Sequence, residues 1–474
     1  MTDDTSGAVG AGRGEGRAVS PPGRAAYLGL LSVTSLGTIS STIMSAPINE
    51  IAASIGTDGR GVVLAVSAFT VVMALTSPAA GWLADRMGPR AYLFVSLVLM
   101  VGGQVLAGVS TNLTMLVVAR SVQGAACSGI PACVQYLLAS HWPLSRRRSM
   151  AAWASAIGVG QAIGPPTGGA VAQLLGWRWV FGAVALVVIV VLVVLVRTLP
   201  EVAVESDAVL MDTGALVVLT VGGGLLAVGF TAIGQGYAGP SVAVTALGAL
   251  VLAVVLRPGR RRPVLGPVGR DPGYAVATLS AATGMATMGI TIVSVPVYLG
   301  TRLGLGPGLI GVSTLALALG MTTFAPIAGR VAGRLGTRRT LAGGLLSITL
   351  IAPVLGVVES RGEDVTILPV LLAVLFAVGC GIATIQSMAA LVLLDVPGRS
   401  GTSMGVHNMG RFTGLCVGYA WVAFSLPFDQ PLLIHLGTAA MALVSLVALV
   451  VAVQRARVSP RPGPRSETPA ATSR

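Results

Sequence analysis

Gly81-Trp82-Leu83-Ala84-Asp85-Arg86-Met87-Gly88-Pro89-Arg90 lies between two long apolar runs, at about residues 61–83 and 91–110. A chain that leaves one membrane helix and enters the next so soon must reverse tightly, and glycine supplies the backbone freedom for that. Arg86 and Arg90 place cations at a helix end, as an inner membrane face favours. Positive charge alone would satisfy that preference, so Asp85 in the middle asks for a partner. A second stretch, Gly329-Arg330-Val331-Ala332-Gly333-Arg334-Leu335-Gly336-Thr337-Arg338-Arg339, repeats the glycine spacing and the flanking charge, with Gly333 where the acid stood. Two copies make an internal repeat.

Composition sets the solvent. The chain has 474 residues, 54% hydrophobic and 10% charged, with a mean hydropathy of +0.85. Soluble proteins carry about 25% charged residues, so lipid surrounds most of this chain. All 30 basic residues are arginine, which points to a GC-rich bacterial genome. The net charge of +13 does not mark a nucleic-acid binder, because the arginines sit at the ends of apolar runs rather than along one face. Cys127, Cys133, Cys380 and Cys416 fall inside apolar runs without metal-ligand spacing, so neither a metal nor a disulfide is expected. The acidic start, Met1-Thr2-Asp3-Asp4, offers no cleavable leader. With no lysine to complete a G-x-x-x-x-G-K loop, ATP is not the direct energy source, and no cofactor is expected.

Fourteen runs are long enough to cross about 30 Å of hydrocarbon. They lie near 27–49, 61–83, 91–110, 112–139, 150–173, 178–197, 213–233, 240–257, 274–298, 308–329, 340–358, 367–393, 403–425 and 431–453. With the N-terminus inside, sixteen arginines fall in inner loops, including Arg146-Arg147-Arg148 and Arg260-Arg261-Arg262. Four, Arg60, Arg178, Arg302 and Arg361, fall in outer loops. That asymmetry places both termini in the cytoplasm. The seventh and eighth runs are separated only by Gly234-Gln235-Gly236-Tyr237-Ala238-Gly239; a single re-entrant hairpin there would leave twelve spans and move neither terminus. Residues 1–24 and 456–474 read as disordered tails, 25–200 and 273–455 as six-helix bundles, and 201–272 as an inserted helix pair with its linkers.

The stretch at Gly81 resembles the loop G-x-L-A-D-R-x-G-R-R of the major facilitator superfamily, with Pro89 replacing one basic residue. In that family the loop joins the second and third helices, and its aspartate helps latch two halves of the protein at the cytoplasmic side. The resemblance, covering roughly residues 25–455, implies an all-α polytopic membrane protein with the major facilitator fold. The inserted pair, Trp177-Arg178-Trp179-Val180-Phe181 and Asp212-Thr213-Gly214-Ala215-Leu216 look like the fourteen-helix drug/proton antiporter branch. Gly81, Asp85, Arg86, Gly88 and Arg90 would then form the latch. In the outward-open state Asp85 is expected at the start of the thirteenth span, near Gly401 to Ser403, with Arg86 or Arg90 beside it. Unpaired N–H groups at a helix start attract an anion.

Further motifs bear on chemistry. Arg120 lies about eight residues into the fourth span, roughly 12 Å deep, where an unpaired cation costs at least ~2.5 kcal/mol. It is either a strut bonded to a neighbour's carbonyls or part of the site. Leu116-Val117-Val118-Ala119-Arg120-Ser121-Val122-Gln123-Gly124 resembles the superfamily pattern L-x-x-x-R-x-x-Q-G, whose arginine is implicated in proton coupling. Gln123, three residues on, shares its face. In the fifth span Gly160, Gly164 and Gly168 repeat every four residues, a smooth stripe for close helix packing. Pro165 and Pro166 are expected to bend that helix. With Gly169 the string resembles the antiporter motif G-x-x-x-G-P-x-x-G-G, found mainly in exporters. In the thirteenth span His407, Asn408 and Arg411 share a face; His407 is either a satisfied hydrogen-bonder or a proton carrier.

One departure from the family pattern matters. The first helix usually reads L-D-x-T-I-V-N-V-A-L-P there, but here Ser40 stands at the acid and Ser45 at the asparagine. Glu50 lies at the outer edge of this span, and none of the seventeen acidic residues is placed in the hydrocarbon core. These features fit a secondary exporter of small apolar, neutral or weakly acidic compounds, with protons as co-substrate and Glu50, His407 and Asp85 as titratable candidates. Ser40 and Ser45 are cavity candidates. An importer on the same fold lacks support from the glycine stripe, and a polytopic membrane enzyme would need clustered His, Asp or Cys groups. The expected partners are the small-molecule substrate, protons and lipid, with no nucleic acid and a monomer as the working form.

Overall fold

A computed structural model describes residues 22–45, 47–57, 59–201, 213–234, 238–255, 268, 271–305, 307–361, 365–397, 401–425 and 430–458. Among these residues no strand occurs. The helices are α1 (Arg24–Thr42), α2 (Ile48–Ile55), α3 (Gly59–Met87), α4 (Pro89–Gly108), α5 (Leu113–Ser128), α6 (Ile130–His141), α7 (Arg146–Leu175) and α8 (Trp177–Thr198). They continue with α9 (Thr213–Gly234), α10 (Ala238–Val255), α11 (Pro272–Thr301), α12 (Pro307–Leu335), α13 (Thr337–Arg361), α14 (Leu368–Leu394), α15 (Gly401–Ser425) and α16 (Pro431–Val458). Residues 1–21 and 459–474 of the expected tails, Asp212, Gln235 to Tyr237 and the run Arg260-Arg261-Arg262 lie outside the described residues. The remainder of the tails is helical at its inner ends, since α1 begins at Arg24 and α16 continues to Val458.

Helix occupies each of the fourteen apolar runs, but two runs are broken. The first stops at Thr42, passes through a 3-10 turn at Ile43–Ser45 and restarts as α2 beyond Pro47. The fourth breaks at Gly129, two residues before Pro131, which cannot donate to the preceding turn. Gly129 is also pressed against the Tyr92 ring, so no side chain fits there. By contrast Pro165 and Pro166 lie inside α7, which runs on to Leu175.

Both glycine-rich stretches become the same turn. Gly88 (φ 85°) separates α3 from α4, and Gly336 (φ 88°) separates α12 from α13. Both glycines hold the left-handed conformation that a Cβ disfavours. Pro78 and Pro326 stand at matching places inside the preceding helices.

The exterior is apolar. α8 buries Val184 and Val188 while exposing Leu186 and Val190, the pattern of a helix with lipid on one side and protein on the other. Nine helical segments among the described residues are long and apolar enough to cross a membrane. α1, α7 and α15 are not among them, because Ser, Thr, Gly and charged residues dilute their apolar content. The chain is a multi-pass membrane protein.

Two seams join the N-terminal helices to the C-terminal ones: α3 on α15, and α7 on α12. The hairpin α9–α10 lies over the first seam, with α9 touching both α3 and α15. Gly224 of α9 lies against Leu75, and Gly223 against Met409. Small residues thus let α9 approach both sides of the seam closely.

Candidate functional site

Asp85 sits in the last turn of α3 and faces the first turn of α15 across the seam. Its Oδ1 accepts the N–H of Gly401, and its Oδ2 accepts both the N–H (2.8 Å) and the hydroxyl (2.8 Å) of Thr402. Donors left open by the helix start thus meet a carboxylate. Gly81, one turn earlier, leaves no room for a Cβ against the Gly401 carbonyl, and Gly405 packs on Ser77 and Pro78. Neither Arg86 nor Arg90, either of which is the expected neighbour of Asp85, stands beside it. Arg86 stacks over the Trp82 ring at 4.0 Å. Arg90 donates to the Leu199 carbonyl (2.7 Å) and pairs with Glu201 (3.1 Å), tying the turn to the end of α8. A guanidinium next to Asp85 would compete with the α15 donors for the same oxygens.

The second seam closes at the same end of the bundle. Ser155 donates to the Thr322 carbonyl (2.9 Å), Gly158 abuts Met321 and Thr322, and Arg146 pairs with Asp395 (3.2 Å).

Deeper in the N-terminal half, Arg120 is fully buried. Its Nη1 donates to the Ser40 carbonyl (2.6 Å) and to Gln123 Oε1 (2.6 Å), and its guanidinium lies 4.4 Å from the Phe69 ring centre. Gln123 donates to the Gly103 carbonyl (2.9 Å) and Gln104 Oε1 (3.2 Å), and Gln104 donates to Ser40 Oγ (2.7 Å). Ser40, at the place of the family's acid, therefore closes a ring of neutral groups around the cation. Nε and Nη2 of Arg120 have no partner among the described residues.

The C-terminal half builds a counterpart. Arg411 is buried and donates to Asn408 Oδ1 (2.9 Å) and Gln386 Oε1 (3.2 Å). It also lies 5.1 Å from the ring centre of Trp153 on α7, across the interface between halves. His407, one turn earlier, shares a hydrogen bond with Thr278 Oγ1 (3.0 Å). Each half thus holds one arginine bonded to amides and carbonyls, and among the described residues no carboxylate joins either network. Gln104 and Gln386 are site residues that the motifs do not single out. Each was legible as a lone amide inside an apolar run.

The remaining candidates fall elsewhere. Glu50 accepts the N–H of Trp177 (3.2 Å) at the start of α8, on the far face from the two turns. It caps a helix there and touches neither arginine. The side chain of Ser45 lies outside the described residues. The glycine stripe packs α7 onto α1: a Cβ on Gly160 would come within 2.6 Å of the Ser35 carbonyl, and Gly164 and Gly168 press on Thr42 and Ile43. Gly169 is half-buried beside it.

One acidic residue corrects the sequence reading. Glu359, near the end of α13, is buried and pairs with buried His435 of α16 (Oε2–Nε2 3.0 Å). The polar stretch Glu359-Ser360-Arg361 reads as a loop, but α13 extends through it and turns the carboxylate inward.

Comparison with known proteins places this geometry. The Major Facilitator Superfamily profile matches residues 28–419 and again 277–473, and the chain belongs to that family, whose members are membrane transporters rather than enzymes. It is 31% identical over 155 residues to the multidrug export protein EmrB of Haemophilus influenzae, covering 32% of this chain and 30% of that protein. It is 26% identical over 280 residues to the putative multidrug resistance protein MdtD of Citrobacter koseri, covering 57% and 58% respectively. The aligned stretch is thus less than two thirds of either relative's length. In fold it is similar to the crystal structure of the human organic anion transporter MFSD10, with a TM-score of 0.65, 17% identity, and coverage of 90% of this chain and 98% of that one.

The α7–α1 contact yields a first prediction. Gly168→Leu or Gly164→Leu drives a branched side chain into α1, and overpacking of this kind costs about 1–3 kcal/mol. Transport should fall at least about tenfold while the protein still reaches the membrane, read as transport rate per molecule at the cell surface. Wild-type transport by both variants would mean that α1 and α7 separate freely during the cycle.

Proposed function

We propose that this protein exports small apolar, neutral or weakly acidic molecules across a bacterial cytoplasmic membrane, in exchange for protons, with both termini in the cytoplasm. The two helix sets rock about the buried centre, and the turn-bearing face, closed here, is the cytoplasmic one. The carrying observation is the pair of buried arginines, Arg120 and Arg411, each surrounded by neutral partners. An organic cation placed between them would be repelled in a low dielectric. A neutral or anionic molecule would meet donors, together with Gln123, Asn408 and His407.

Energetics favour the same class. An interior-negative potential assists exit of a monoanion by ~2.3 kcal/mol per 100 mV. Export rather than import is supported by the Gly160–Gly169 string and by relatives named for multidrug export. Of the titratable candidates, Asp85 is engaged at the seam and Glu50 at α8, which leaves His407 and the Glu359–His435 pair inside the bundle.

Inside-out membrane vesicles carrying the protein should accumulate a lipophilic weak acid or a neutral antibiotic when energised, and lose it when a protonophore is added. Accumulation by right-side-out vesicles instead would establish the importer reading.

A further inference from the structure

The two turns are built alike but filled differently. At the first, Gly81 and Asp85 meet the start of α15; at the second, Gly329 and Gly333 meet the start of α7. A Cβ on Gly329 would lie 3.1 Å from Ala151 and 3.6 Å from the Arg147 carbonyl, as Gly81 lies against the Gly401 carbonyl. Gly333, at the place of Asp85, offers no carboxylate, and its Cβ position is 4.0 Å from Arg147 Nη1. No side chain caps the start of α7, and no acid lies in its first turn.

An open cavity of about 820 Å³ occupies this place, lined among others by Arg146, Arg147, Arg148 and Arg330. Asp395 is the one carboxylate on its wall among the described residues, 64% exposed and bonded to Arg146 Nη1 at 3.2 Å. Nε and Nη2 of Arg146 are buried without a partner among the described residues. Four guanidiniums therefore face one carboxylate, in a recess where the matching seam holds an acid of its own.

We propose that this cavity binds a phosphate group, which takes the place of the missing carboxylate and bridges Arg146–Arg148 on α7 to Arg330 on α12. Guanidinium forks suit tetrahedral oxyanions because they offer paired donors in one plane. The group comes from an anionic phospholipid headgroup or from free phosphate. Bound there, it clamps the α7–α12 seam as Asp85 clamps the α3–α15 seam, whichever compound the protein exports.

Leu144, fully exposed at the cavity edge, gives a reporter position. The full chain carrying Leu144→Cys and Cys380→Ser, labelled with an environment-sensitive fluorophore, is placed in phosphatidylcholine nanodiscs. One arm is titrated with inorganic phosphate; the other uses rising fractions of phosphatidylglycerol. A saturable response is expected in the lipid arm, or in both arms if free phosphate also enters. It should weaken roughly tenfold or more in Arg147→Gln/Arg330→Gln, which removes two cations. It should weaken comparably in Gly333→Asp, which restores an internal carboxylate beside Arg147. No saturable response in either arm, or one unchanged in both variants, would overturn the proposal.

Discussion

Arg120→Lys should lower transport by roughly ten- to a hundredfold, although charge and approximate size are kept. One terminal nitrogen of Arg120 bonds the Ser40 carbonyl and Gln123 Oε1 while the guanidinium plane lies over Phe69. A lysine ammonium lacks that plane and sits on a shorter stem, so it cannot hold both acceptors and the ring together. Losing one buried hydrogen bond to a charged group costs about 1.5–3 kcal/mol. The loss would also free Ser40, Gln104 and Gln123 to rearrange, because they form one connected network. Initial transport rates in vesicles, corrected for protein inserted, provide the measurement. Near-normal rates for Arg120→Lys would reduce the arginine to a packing strut between α1 and α5.

Asp85→Asn should shift the equilibrium between the two access states toward inward-open by about 1 kcal/mol, close to fivefold. The carboxylate accepts from Gly401, Thr402 N–H and the Thr402 hydroxyl through two oxygens. An asparagine keeps one acceptor and has no net charge to oppose the positive end of α15. Thr402→Val should move the same equilibrium less, since only the hydroxyl is lost. Cysteine accessibility at the two membrane faces reads both shifts. Equal labelling of wild type and Asp85→Asn would show that the α3–α15 seam is held by its glycine packing alone.

The sequence resolved what depends on local pattern. Apolar run length located the helices, and the spacing Gly81–Gly88 against Gly329–Gly336 located two matching turns. Less was legible where a partner lies far along the chain. Arg90 bonds Leu199 and Glu201, more than a hundred residues away, and nothing near Arg90 announces them. The breaks beside Pro47 and Pro131 but not at Pro165 have no local signature, because tertiary packing decides whether a proline ends a membrane helix. Glu359 lies just past the apolar run at 340–358, where charge usually means water; its match with His435 requires two helices to be adjacent. Asp85 could be assigned a helix start as its partner because the family resemblance implied a latch there and open N–H donors suit an acid.

A transport path running past the buried Arg120 and Arg411 should prefer neutral or anionic cargo. The most direct test of that preference is transport by purified protein in liposomes, with pH and voltage gradients imposed separately, for a neutral compound, a weak acid and a permanently charged quaternary ammonium dye. The neutral compound and the weak acid should move against their gradients when protons flow the other way, and the dye should move little faster than in protein-free liposomes. Robust proton-driven efflux of the dye would contradict the account, and would mean that a carboxylate, Glu359 foremost, reaches the transport path.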